Sequence, residues 1–207
     1  MSFEKFKLDE KIMAGVIAAG YKKPTPIQAQ SIPPIMEGKD MMGLAQTGTG
    51  KTAAFVLPIL QRLMSGKRGH IRALIIAPTR ELSEQTNESI MQLGRKTGLS
   101  SASIYGGVSI NTQINRLRSR VDIISACPGR LLDHIGRGTL DLSQVEVLVL
   151  DEADHMFDMG FLPDVRRIVK HLPAHRQTCS RFLRISLCWA SEAGSLDMTP
   201  GWMLCRL

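Results

Sequence analysis

The chain has 207 residues, 43% of them hydrophobic, and a formal net charge of +7. This length suits one domain with a tail, the apolar fraction is enough for a buried core, and the basic balance favours a polyanionic partner. The start MSFEKFKLDEK lacks the apolar stretch of a secretory signal, no apolar run reaches the roughly 18 residues of a membrane span, and Cys127, Cys179, Cys188 and Cys205 form no CxxC pair for zinc or a disulfide framework, so a cytoplasmic protein is expected.

Asp9 reads as a helix N-cap, with Leu8 and Met13 spaced for a hydrophobic staple. Ile12, Met13, Val16 and Ile17 supply the helix face, and Gly20 ends it. Thr25 is placed to cap a second helix, with Pro26 at its first position and Gln28 at the third, the spacing of a capping box. The apolar run Met41-Met42-Gly43-Leu44 then leads into Ala45 to Thr52, AQTGTGKT, and on into the helical pattern Ala53-Ala54-Phe55-Val56-Leu57.

That strand, loop and helix form the context of a phosphate-binding loop. Gly48 and Gly50 let the backbone turn with its N–H groups inward, and the helix starting near Lys51 adds the positive end of its dipole. Lys51 can reach the β- and γ-phosphates, and the Thr52 hydroxyl can hold Mg²⁺. The first position of the loop is Ala45, not Gly.

Downstream, strands and helices alternate. Strands are expected at Ala73–Ala77, Ser101–Tyr105, Val121–Ser125 and Val145–Leu150, and helices at Thr79–Leu93, Ile110–Leu117, Pro128–Ile135 and Leu162–His171. Such alternation predicts an α/β domain, a mainly parallel sheet with helices on both faces, whose ligands bind at the carboxyl ends of the strands. Four polar clusters fall at those ends: the phosphate loop, Pro78-Thr79-Arg80, Pro128-Gly129-Arg130 and Asp151-Glu152-Ala153-Asp154. Asp151 is placed to hold Mg²⁺ opposite Thr52, and Glu152 to orient or deprotonate a water. A nucleotide or small-molecule kinase shares such a loop. The plain alternatives are an acid-rich helix N-terminus for 151–154 and an i,i+4 ion pair with Glu84 for Arg80.

In their order, PTPIQ (24–28), AQTGTGKT (45–52), PTREL (78–82), Gly106-Gly107, PGR (128–130) and DEAD (151–154) resemble the first RecA-like domain of a DEAD-box RNA helicase, from about Phe3 to Thr178. The resemblance implies a RecA-like P-loop fold, Mg²⁺ and ATP as ligands, and RNA as partner. It implies adenine recognition by Gln28 with Tyr21 stacking on the ring, and matches Phe3 to an upstream aromatic. It assigns the nucleotide cradle to Gln46, Thr47, Gly48, Thr49, Gly50, Lys51 and Thr52, hydrolysis to Lys51, Asp151 and Glu152, and a coupling role to Asp154. RNA-backbone contact is implied for Pro78, Thr79, Arg80, Gly106, Gly107, Pro128, Gly129 and Arg130. The small number of aromatics near these loops favours sequence-independent contact.

Two positions depart from the family pattern. Cys127 stands where the family has Thr before PGR, and a thiol is a poor hydrogen-bond donor. After Thr178 there is no Ser-Ala-Thr. Residues 179–207 instead hold three of the four cysteines and both tryptophans, Trp189 and Trp202. They read as an unrelated tail, as from an altered reading frame, or else as a divergent last strand. An exposed sheet edge, and faster thiol reaction at Cys179, Cys188 and Cys205 than at Cys127, are expected from the first reading. No second RecA-like domain is seen in the sequence. The expectation is an ATP-binding domain of a helicase with little activity by itself, or a non-catalytic nucleotide- and RNA-binding module.

Overall fold

Each apolar run becomes a short strand, and side-chain alternation along it decides which of two cores each residue enters. The computed structural model describes residues 2–44, 50–182 and 203–206. The strands are β1 (Met41–Leu44), β2 (Ala73–Ile76), β3 (Ser101–Ile104), β4 (Ile123–Ala126), β5 (Val147–Leu150), β6 (Gln177–Phe182) and β7 (Met203–Arg206). They form one sheet in the order β3-β4-β2-β5-β6-β1-β7. Every pairing in it is parallel.

The connecting helices are α1 (Glu10–Ala18), α2 (Pro26–Met36), α3 (Lys51–Leu63), α4 (Arg80–Leu93), α5 (Ile110–Arg118), α6 (Pro128–Gly136), α7 (Ala153–Asp158) and α8 (Leu162–Val169). Alternate residues of a strand point to opposite faces. Ala73, Ile75, Val147 and Val149 accordingly pack with Ile12, Ile32, Leu57 and Leu60. Leu74, Ile76, Leu148 and Leu150 pack on the other side with Leu131, Met156, Val165 and Ile168. Burial on both faces explains why these strands read as continuous apolar runs without a polar alternation.

The helix starts follow the sequence signals. Asp9 accepts from the Lys11 N–H at 2.8 Å. Thr25 and Gln28 close a complete capping box on α2. Two short elements had no periodic signature. One is a 3₁₀ turn over Phe3–Phe6, whose two rings meet edge-on at 5.9 Å within the core. The other is the six-residue α7 directly after β5.

The expectation of an unpaired sheet edge after Thr178 is corrected by the structure. Strand β6 crosses that point, with Cys179 beside Met41 of β1 and Val149 of β5. β7 then covers the outer side of β1. A strand with neighbours on both sides satisfies its backbone by the ladder, so it tolerates a polar sequence if its side chains also find partners. The start of β6 does so. Gln177 donates to the carbonyls of Ile35 and Lys39 at 3.0 and 2.7 Å and accepts from Arg62 at 3.0 Å. The Thr178 N–H donates to Asp40 at 2.7 Å. Slotting into the sheet also reverses the expected thiol order between two cysteines. Cys179 is buried and its thiol is pushed up to about 12, chiefly by burial, whereas Cys127 is only partly buried. Cys188, Trp189 and Trp202 lie outside the described residues.

Candidate functional site

β1 leads through residues 45–49 to α3. Gln46, Thr47, Gly48 and Thr49 lie outside the described residues. Gly50 is the N-cap of α3 at φ 79°, ψ 22°, a left-handed conformation that glycine adopts without steric cost. Lys51, the first helical residue, is 6% exposed, and Thr52 follows it partly buried. β5 ends at Leu150, and Asp151 and Glu152 beyond it are 0% and 6% exposed. β1 and β5 are both neighbours of β6, so their carboxyl ends lie two strand spacings apart, roughly 10 Å.

Burying a cation and two carboxylates within such a span is tolerable only where opposite charges and hydrogen bonds compensate. The oxygen donors brought to this edge, the Asp151 and Glu152 carboxylates and the Thr52 hydroxyl, are hard ligands. They fit a hard cation such as Mg²⁺, which takes few protein ligands beside phosphate oxygens.

Glu152 has φ 51°, ψ 51° and caps α7. A left-handed conformation in a residue other than glycine costs about 1–2 kcal/mol. It turns the chain from the strand end into the helix within two residues, and such strain is concentrated at functional sites. His155 Nδ1 lies 3.7 Å from a Glu152 carboxylate oxygen.

Gln28, fully buried, works from both ends of its amide. Its Oε1 accepts from the Thr25 N–H at 2.9 Å, and its Nε2 donates to the Gly50 carbonyl at 2.9 Å. The capping reading of Gln28 therefore holds, and the same side chain ties α2 to Gly50 at the start of α3. Tyr21 is 37% exposed, with its ring 6.1 Å from that of the buried Phe3. The two rings are tilted by 43°, and part of Tyr21 stays in solvent.

The loops at 78–80, 106–107 and 128–130 share the same edge, beyond the carboxyl ends of β2, β3 and β4. Thr79 caps α4, accepting from the Leu82 N–H at 3.3 Å. Arg80 is exposed; it lies 3.6 Å from Glu84 and its guanidinium sits 4.7 Å from the centre of the Tyr105 ring. Tyr105 in turn donates its hydroxyl to Glu84, a bond that raises the phenol above its ordinary range together with burial and the Glu84 charge. Gly106 and Gly107 are exposed, Gly107 at φ 82°.

Cys127 occupies the N-cap of α6 without a side-chain hydrogen bond. Burial, then the Glu81 charge, push its thiol up to about 11. Pro128 is buried and Gly129 exposed. Arg130 turns inward. Its side chain is 14% exposed and lies 3.5 Å from Asp133, and its Nη1 donates to the Val108 carbonyl at 2.9 Å and to Gln113 at 3.3 Å. Its observed bonds hold the neighbouring loop.

A model of the DEAD/DEAH box helicase family matches residues 25–183. The chain belongs to that family. It is 49% identical over 176 residues to the ATP-dependent RNA helicase CshA of Listeria monocytogenes, covering 85% of this chain and 34% of that protein. Against the DEAD-box ATP-dependent RNA helicase CshA of Geobacillus kaustophilus it is 44% identical over 177 residues, or 86% and 38% of the two chains. A DEAD box protein of the hyperthermophile Methanococcus jannaschii superposes with a TM-score of 0.90 at 34% identity, over 99% of this chain and 55% of that one. A hypothetical ATP-dependent RNA helicase of Sulfolobus tokodaii gives 0.85 at 36% identity, over 95% and 56%. The chain thus spans about a third of the length of the CshA proteins it matches. Its α/β fold is that of the RecA-like domain of DEAD-box proteins.

Sequence reasoning passed over three side chains that build the loop edge: Tyr105, Gln113 and His134. Gln113 gave one signal. In α5 the half-buried Ile110, Ile114 and Leu117 form the apolar stripe, and the buried Gln113 lies on it. A polar residue on a buried face must find partners.

Proposed function

We propose that the chain is the ATP-binding RecA-like domain of an RNA-remodelling helicase, its working unit running through β6 to Phe182 and followed by an atypical C-terminal segment. The observation that carries the reading is the burial of Lys51, Asp151 and Glu152 at the carboxyl ends of β1 and β5, on either side of β6. Lys51 binds the β- and γ-phosphates, with the amides around Gly50 and the start of α3 as further donors. Thr52 and Asp151 would hold Mg²⁺, which when bound neutralises charge on the phosphates. Glu152 accepts a proton from the attacking water or orients it, and its strained backbone fixes the carboxylate at the strand end. Tyr21 offers a stacking face for adenine. Gln28 joins that segment to the phosphate loop through Gly50, and Asp154 serves to couple the nucleotide site to the rest of the domain.

RNA binds along the edge formed by 78–80, 106–107 and 128–130. Arg80 supplies charge, and the exposed glycines allow close approach of a sugar-phosphate backbone. With Tyr105 covered by Arg80, no free aromatic platform stands there among the described residues, in keeping with sequence-independent contact. Arg130 contributes by holding the loop at Val108 rather than by reaching out.

A polypeptide of these 207 residues alone is expected to bind Mg-ATP, hydrolyse it slowly and unwind no duplex, since it contains one RecA-like domain. The test is phosphate release with and without single-stranded RNA. Slow release abolished by Glu152→Gln supports the reading. Release unaffected by that change would remove Glu152 from the reaction, and phosphate transferred to an added small acceptor would mean a kinase.

A further inference from the structure

We propose that Gln113 is a positioning residue for RNA binding, locking the glycine turn at 106–107 to the start of α6. The proposal rests on the reading of this edge as the RNA site. Gln113 is buried in α5 and reaches two of the three loops at once. Its Nε2 donates to the carbonyl of Tyr105, the residue before Gly106, at 2.9 Å. Its Oε1 accepts from Arg130 Nη1 at 3.3 Å and faces His134 Nε2 at 3.1 Å. Arginine can only donate, so the atom facing Arg130 must be the oxygen, and the amide orientation is fixed. His134 Nε2 must then carry a proton toward Gln113, and its Nδ1 meets the Thr139 hydroxyl at 2.8 Å.

The network is closed: Arg130 Nη1 also bonds the Val108 carbonyl, on the far side of the same turn. Carbonyls on both sides of Gly106-Gly107 are therefore held, one by Gln113 and the other by Arg130. A Cβ added at either exposed glycine between them would meet nothing within 4 Å, and Gly107 is in the left-handed region. A loop of this kind would otherwise sample many conformations, and ordering it on binding would cost affinity. Tyr105 extends the link to the third loop through Arg80 above its ring. Gln113 therefore acts by preorganisation and touches no ligand itself.

The test uses Gln113→Leu, which removes both ends of the link, and Gln113→Glu. The latter keeps the size and the acceptor side but cannot donate to Tyr105, and it serves if the Leu variant does not fold. Affinity for a labelled oligouridylate is titrated at several salt concentrations, beside ADP affinity and amide hydrogen exchange. The expected result is RNA binding weaker by about fivefold to tenfold, the size of one or two lost hydrogen bonds. Exchange at 106–108 should be faster and ADP affinity within about twofold of the parent. Parent-like RNA affinity in both variants overturns the proposal and leaves the RNA site standing. Parallel loss of RNA and ADP binding also overturns it, since that is general destabilisation. A parent chain that binds ADP but no RNA at low salt overturns the RNA reading and this proposal together.

Discussion

Gly50→Ala tests whether α2 and the start of α3 are one mechanical unit. The added Cβ would sit 2.6 Å from Gln28 Nε2 and 3.4 Å from Thr25 Cγ2, at a backbone φ of 79°. The left-handed conformation alone costs an alanine about 1–2 kcal/mol. The clash adds to this because Gln28 cannot retreat freely. It is fully buried, and its amide is pinned at 2.9 Å to Gly50 and at 2.9 Å to Thr25. Moving it breaks at least one of these bonds, worth about 1 kcal/mol.

The expected destabilisation is therefore about 2–3 kcal/mol by urea unfolding, with an unchanged denaturant slope. Nucleotide affinity should fall with it. The diagnostic is the double-mutant cycle with Gln28→Ala. Removing the amide removes the clash, so the double variant should be less destabilised than the sum of the singles by about 1 kcal/mol. Strict additivity would mean that Gly50 and Gln28 do not touch, and the link between α2 and the start of α3 would be lost.

Three other outcomes follow from particular contacts. Cys127→Thr should stabilise the domain by about 1 kcal/mol, because a hydroxyl at this N-cap can accept from the first turn of α6 as Thr79 does in α4; an unchanged urea midpoint would argue against it. Glu152→Gly should be more stable than Glu152→Ala by about 1 kcal/mol, since only glycine relieves the left-handed strain, while both lose hydrolysis. His134 is held below its ordinary range by burial and then by the Arg130 charge, with Arg137 adding and Asp133 opposing. The unfolded chain therefore binds the proton more readily. The stability difference between the parent and His134→Gln should be fully present above pH 6.5 and shrink as pH falls further, which unfolding curves across that range would show.

Much of the architecture was legible in the sequence because the strands are apolar on both faces and the helices announce themselves at their caps. VLVL of β5 and the box from Thr25 to Gln28 are examples. β6 was not legible. QTCSRF looks unlike a central strand, and only the anchors at Ile35, Lys39 and Asp40 explain its place. The motifs fall after strands, and the structure gathers them at one sheet edge, but which polar groups face inward could not be read from spacing. Arg130, read as a charged donor to RNA, also bonds Val108 and Gln113, 22 and 17 residues away in sequence, which spacing does not reveal. Gln28 had two readings, and the structure shows how one amide caps a helix and meets the loop.

The proposed Mg-ATP site joins the loop ending in Lys51 to the acids after β5. Titration calorimetry of ATP into the parent and into Lys51→Ala, with and without Mg²⁺, tests it most directly. One nucleotide should bind per chain, more tightly with Mg²⁺ and more tightly as ATP than as GTP, and Lys51→Ala should abolish or greatly weaken binding. Equal ATP affinity in parent and variant would contradict the proposed site.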